Sequence, residues 1–262
     1  HTMKTLRFRW RWLVWLVAPF LLWISLRAVP FQDILGVLQN IAVWQLFVLA
    51  GFNLVVLLLF ALRWQLILRA FGSTVSIGRI LAYRLAGFGL SYFTPGPQFG
   101  GEPLQVLLLT HREAVPTARA VSSVILDKLL ELLANFSFLV FGLSVAGLSG
   151  LLPGEVNALA WVGIGTLLFF PAAHLFFLWK GFKPLTALAV WSRRNISWQG
   201  LAVVEQHIGA AEDQIGSFCR ERPFDLARLI LVSALVWLFS VLEFQWLLTT
   251  LDGSLSFAQC IS

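Results

Sequence analysis

Charge is what this sequence has least of. Only 12% of its 262 residues are Asp, Glu, Lys or Arg, while 58% are hydrophobic. Ordinary soluble domains carry about 25% charged residues, enough to cover their surface with polar groups. The composition therefore excludes a soluble globular domain. Cysteine is nearly missing as well: Cys219 and Cys260 are the two present. No Cys/His spacing suits zinc, and the topology read below puts the two thiols on opposite membrane faces, where no disulfide joins them. Four histidines, no Ser/His/Asp set, no phosphate-binding glycine loop and no metal motif leave a catalytic reading without a constellation. We expect no catalytic residue, no metal and no cofactor. There is no low-complexity tract.

What is abundant points the same way. Twelve tryptophans, 23 phenylalanines and a mean hydropathy of +0.82 suit a chain whose outer surface meets lipid and its headgroup boundary. The fold class read from this is all-α: a polytopic membrane helical bundle, one transmembrane domain over residues 3–262. His1-Thr2 before Met3 reads as a tag remnant and carries no weight.

A span needs about 20 mostly apolar residues at 1.5 Å rise. Five segments qualify, near 10–29, 44–64, 118–148, 157–179 and 226–250. With the N-terminus cytoplasmic, 17 of the 19 basic residues fall on the inner side, including Arg63, Arg69, Arg79 and Arg84 after the second span. Only Arg27 and Lys128 lie elsewhere. The net charge of +6 thus reports orientation rather than nucleic-acid binding. Residues 31–44 read as a short amphipathic helix on the outer face. Residues 180–225 read as a cytoplasmic connection containing two interfacial helices.

The orientation holds only if region 80–110 enters and leaves on one side. Its centre, "YFTPGPQFGGEPLQ", cannot be helix throughout. Pro95 and Pro97 lack an N–H and restrict the residue before each. Gly96, Gly100 and Gly101 permit a tight reversal. The flanking arms are too short to span, so the region reads as a re-entrant hairpin whose broken backbone faces protein or water.

Ionisable residues within apolar segments are the candidate site. Arg119, Ser123, Asp127, Glu131 and Asn135 recur every four residues, which puts them on one slowly spiralling helix face. From Leu132 to Leu148 run 17 uncharged residues, about 25 Å of helix and short of a ~30 Å hydrocarbon core. Glu131 and Asp127 are therefore drawn inside it, where each charge costs at least ~2.5–3.5 kcal/mol. Lys128, three residues from Glu131, is placed to pair with it. The two readings are a ligand-binding face and a structural salt bridge. Glu243 falls in the outer half of the last span. Glu102 heads the returning half-helix, where it complements the helix dipole, or binds a cationic headgroup group or fixes a neighbouring arginine near the Asp127/Glu131 face. Arg84 lies on the entering arm. The candidate binding residues are Glu102, Asp127, Lys128, Glu131, Arg84 and Glu243, with Pro95, Gly96, Pro97, Gly100 and Gly101 as the hairpin tip. His174 reads as a histidine satisfied by a neighbouring helix.

Taken in order, the basic N-terminus, "ALRWQLILRAFG", the Pro/Gly break into "GGEPLQVLLL" and "AVPTARAVSSVILDKLLELL" resemble the lysylphosphatidylglycerol synthase transmembrane-region family. The resemblance runs over essentially the whole chain. It implies a flippase-like protein of the bacterial inner membrane, moving a lipid with a polar headgroup between leaflets, with membrane lipids as partners. Association with further copies of the chain is left open. Relatives often carry arginine three positions after the glutamate, where Gln105 stands here, and Asp-Arg where this chain has Asp127-Lys128. Both changes remove a bidentate phosphate ligand. The family usually continues beyond the region matching Ser262, so the chain is expected to be C-terminally incomplete. A membrane enzyme or enzyme subunit in lipid modification, and an ion-coupled small-solute transporter, are the alternatives.

Overall fold

The computed structural model describes residues 42–92, 100–148, 158–195 and 201–250. Every regular element among them is helical: α1 (Val43–Ala70), α2 (Ile77–Ser91), α3 (Glu102–Arg112), α4 (Thr117–Leu148), α5 (Ala158–Trp179), α6 (Pro184–Asn195), α7 (Leu201–Glu221) and α8 (Pro223–Thr250).

The stops and starts follow local chemistry. α1 ends at Gly72, whose φ of +74° closes the helix. α3 opens on Glu102-Pro103, an acid facing the amino end of the helix dipole followed by a residue with no N–H to leave unpaired. α8 opens in the same manner on Pro223 with Asp225 in its first turn. Gly181, at φ +86°, follows α5.

Three helices are long and apolar enough to cross a membrane: α1, α4 and α8. α5 reaches that standard only together with α6, from which it is bent by 99°. The chain thus has three such spans among the described residues, or four if the bent pair is one. The span expected at 10–29 lies outside the described residues, as does the amphipathic segment expected at 31–44 apart from its last three residues, of which Val43 and Trp44 open α1 instead; five full spans are not established. The expected span at 44–64 proves too short: the helix continues to Ala70, which places Arg63 within it rather than in a loop.

The apolar surface faces outward. Only 6% of the most apolar stretch of α1 is buried, and Phe47, Phe169 and Phe170 are exposed. Burial is concentrated in two clusters. One joins α1, α2, α3 and α4 around Trp64, Leu68, Ile80 and Leu109. The other joins α1, α4, α5, α7 and α8 around Ile67, Leu130, Leu178, Ile215 and Phe218. α7, expected as an interfacial helix, buries Ala211, Ile215 and Phe218 against its neighbours. It also buries Glu212, which accepts hydrogen bonds from the amides of Leu185 and Thr186 and so closes the amino end of α6. His174 Nε2 lies 3.7 Å from that same carboxylate, too far for a hydrogen bond, so the expected satisfied histidine is corrected: this buried nitrogen has no hydrogen-bond partner among the described residues. Cys219 is buried, and burial pushes its thiol up to about 11.

α2 and α3 are too short to span and pack on each other through glycine. A Cβ on Gly101 would lie 2.2 Å from the carbonyl oxygen of Gly87. The expectation that both tip glycines serve the reversal is therefore corrected. Gly100 carries the turn, at φ +114°. Gly101 sits in ordinary helical backbone, and its missing side chain serves the close approach of the two arms. Pro95, Gly96 and Pro97 lie outside the described residues. Beyond the hairpin, Glu113 accepts hydrogen bonds from the Tyr83 hydroxyl at 2.5 Å and Arg79 Nη1 at 2.8 Å. Burial pushes that carboxyl up, but the two hydrogen bonds outweigh it and hold it below its ordinary value.

Candidate functional site

The four-residue ladder of α4 faces the bundle, and its rungs from Arg119 to Glu131 meet residues outside α4. Arg119 donates to the Gly72 carbonyl, capping α1. Ser123 accepts from the Trp64 indole at 3.2 Å. Asp127 and Glu131 meet two arginines, Arg84 of the hairpin's entering arm and Arg63, which the sequence had suggested lay in the basic flank of a span.

Arg63 Nε donates to Asp127 Oδ1 at 2.7 Å, and Arg84 Nη1 donates to Asp127 Oδ2 at 2.7 Å. Arg84 Nη2 reaches Glu131 Oε2 at 3.0 Å. Arg63 Nη1 donates to Ser233 Oγ of α8 at 3.1 Å. One charge knot thus fastens α1, α2, α4 and α8 together. All four ionic side chains are at least 91% buried. The knot survives burial because it is balanced: each carboxylate oxygen has a donor and two positive charges face two negative ones. Aromatic faces complete the shell, with the Arg84 guanidinium 4.6 Å from the Phe60 ring centre and 5.4 Å from that of Phe88.

Lys128 and Glu102 extend the knot towards the hairpin. Lys128 Nζ lies 2.9 Å from Glu131 Oε1, the pairing expected from their spacing, and 3.5 Å from Glu102 Oε1. Glu102 also accepts from the Gly100 amide at 2.8 Å, so it caps the tip and pairs with Lys128 at once. These two side chains are the most exposed of the six, at 18% and 27%. Five of the six candidate binding residues are therefore assembled in one place. Glu243 is not among them: it pairs with Asn53 across α1 and α8. Arg63 was missed. The guanidinium groups that Gln105 and Lys128 lack are supplied from α1 and α2, although both are occupied by carboxylates.

Glu131 and Phe88 line a space on each side of the knot. Towards the hairpin is a space of only about 20 Å³, between Gly101, Glu102, Gln105 and Lys128. Towards α8 is a pocket of about 210 Å³, lined by Arg63, Glu131, Asn135, Ser233 and Ser240 among others. Beside that pocket, between α4 and α8, runs an apolar groove of about 490 Å³. The two share Ala134, Ser233 and Trp237 as a common wall. Trp237 stacks on Phe138 at 4.2 Å within the groove. The groove is thus apolar, and the polar chemistry adjoins it. Among the described residues no group of acidic, histidine or cysteine side chains is arranged to hold a metal ion.

Comparison with known proteins agrees with this architecture. The family described as the lysylphosphatidylglycerol synthase transmembrane region matches residues 11–262. The chain belongs to that family. It is also 23% identical over 201 residues to a UPF0104 membrane protein of Methanocaldococcus jannaschii, a match covering 75% of this chain. The chain spans 58% of that relative's length. No solved structure matches the chain.

Proposed function

We propose that the protein moves a polar-headgroup lipid between the leaflets of a bacterial cytoplasmic membrane, without chemistry of its own. The observation that carries this reading is the shared wall between a charged pocket of about 210 Å³ and an apolar groove of about 490 Å³. A lipid is the ligand with that division: the headgroup occupies the pocket against Arg63, Glu131 and Asn135, and an acyl chain lies in the groove over Phe138 and Trp237.

The knot sets the headgroup's character. Three cations and three anions, counting Lys128 and Glu102, leave no formal charge over, so a headgroup carrying both signs exchanges with existing pairs at least electrostatic loss. Passage past Glu131 requires the hairpin side to open. Its weakest fastening is the long, partly exposed Lys128–Glu102 pair. In this reading α2 and α3 form a re-entrant hairpin, the spans number five with the segment at 10–29, and the N-terminus is cytoplasmic. Movement is downhill or ion-coupled.

Reconstitution into liposomes carrying a fluorescent-headgroup phospholipid tests the reading. Protein-containing vesicles are expected to expose the inner-leaflet probe to an impermeant quencher faster than protein-free ones. Equal rates for a panel of zwitterionic and anionic probes would refute it. An ion-coupled solute transporter would instead leave lipid in place and move charge.

A further inference from the structure

The knot uses one of the two arginines of α1, Arg63; the other, Arg69, does something else. It stands six residues beyond Arg63, about 9 Å further along the helix. Together with Arg222, which follows α7, and Arg228 of α8 it lines a separate pocket of about 230 Å³. This pocket has no lining residue in common with the two spaces beside Glu131.

Three arginines face one acid there. Asp225 accepts from Arg228 Nη1 at 3.2 Å, which leaves the guanidinium groups of Arg69 and Arg222 without an ion-pair or hydrogen-bond partner among the described residues. The amino end of the α8 dipole adds to the positive potential. The remaining wall is apolar, supplied by Leu66, Phe218 and Leu229. Arg69 closes one candidate span, and Arg222 and Arg228 flank the start of another, so the pocket lies where a bilayer's headgroups meet its acyl chains.

A solvated surface would need neither the concavity nor the apolar floor. Planar guanidinium groups in a concave site recognise phosphate oxygens, commonly in bidentate fashion. Basic pockets at the ends of membrane helices take anionic lipid headgroups. We propose that this pocket holds the phosphodiester of an anionic phospholipid from the adjoining leaflet, its acyl chains descending along Leu66 and Leu229. The site is distinct from the transport pathway and depends only on the protein's embedding in a membrane. Its occupancy reports a resident lipid at the junction of α1, α7 and α8 rather than a transported one.

Native mass spectrometry of the whole chain in detergent, with phosphatidylglycerol or phosphatidylcholine added, tests it. The native protein is expected to retain an added phosphatidylglycerol and to show no matching retention of phosphatidylcholine. The double variant Arg69→Gln/Arg222→Gln is expected to lose that retention. Asp225→Asn, which frees Arg228 and removes the only acid, is expected to raise it. Lipid flipping in liposomes stays at the native rate in both variants, which separates this site from the proposed pathway. Unchanged retention in the double variant, weaker retention in Asp225→Asn, or full displacement of the lipid by millimolar inorganic phosphate would overturn the proposal, the last by making it a free-phosphate site.

Discussion

The two sides of Glu131 are built on opposite principles. Towards the hairpin the chain closes space: Gly101 lies against the Gly87 backbone, Gln105 packs beside it, and about 20 Å³ remains. Towards α8 it keeps space open, with a 210 Å³ polar pocket running beside a 490 Å³ apolar groove. The same carboxylate faces both. The difference separates what holds the helices from what can hold a ligand. Buried charges with every oxygen paired act as a fastening, and the open, amphipathic side offers the binding surface.

The largest effect should come from removing the fastening that both sides share. Asp127→Asn leaves Arg63 and Arg84 buried with Glu131 as the one carboxylate they still share, a loss of about 3–5 kcal/mol for a broken buried pair. Thermal unfolding in detergent should show a large fall in melting temperature and a low yield of folded protein. Gly101→Ala breaks only the hairpin side. Its methyl group meets the Gly87 carbonyl, and an overpacking cost of about 1–3 kcal/mol is expected, read as earlier unfolding and faster proteolysis between α2 and α3.

Lys128→Gln loosens the hairpin without emptying the knot. Its pair with Glu102 is partly exposed, but its pair with Glu131 supplies a donor to a buried carboxylate, so stability should fall by about 1–3 kcal/mol. The flipping rate in liposomes should change clearly, because the hairpin fastening is weakened while Asp127 keeps both arginines. The smallest effect lies outside the membrane segments. Glu113 is held below its ordinary value, so its contribution to stability is full above the unfolded carboxyl value. That contribution is lost as pH falls through the lowered folded one. Glu113→Gln should flatten the acid limb of the melting curve and leave neutral pH nearly unchanged.

How far the sequence anticipated this site follows from what each residue's neighbours reveal. Asp127, Lys128 and Glu131 were legible because a four-residue repeat of polar groups in an apolar helix has one geometric meaning. Glu102 was legible from the Gly-Gly-Glu-Pro start of a half-helix. Arg63 was not. Read beside Arg69, it looked like the basic flank of a span ending at residue 64, since charge alone does not tell an interfacial arginine from a buried one. The available signal was the helix stop: nothing breaks the chain before Gly72, so Arg63 had to lie within α1, one residue from a buried tryptophan. Glu243 was open to a binding and a structural reading, and the structure adds its partner. A lone acid in a span invites a functional reading, and a single asparagine on the facing helix satisfies it. The groove between α4 and α8 had no sequence signal, because Phe138 and Trp237 in a lipid-rich composition are indistinguishable from lipid-facing aromatics.

The central claim is that the joined pocket and groove on the α8 side carry the lipid. Ala134 lies on their common wall, and Ala134→Trp fills the junction while leaving every ion pair of the knot in place. The deciding measurement is lipid flipping in liposomes reconstituted with this variant, with its melting temperature taken alongside. The account predicts flipping reduced to the protein-free rate with the knot-dependent melting transition retained. Native flipping by a folded Ala134→Trp protein would contradict it.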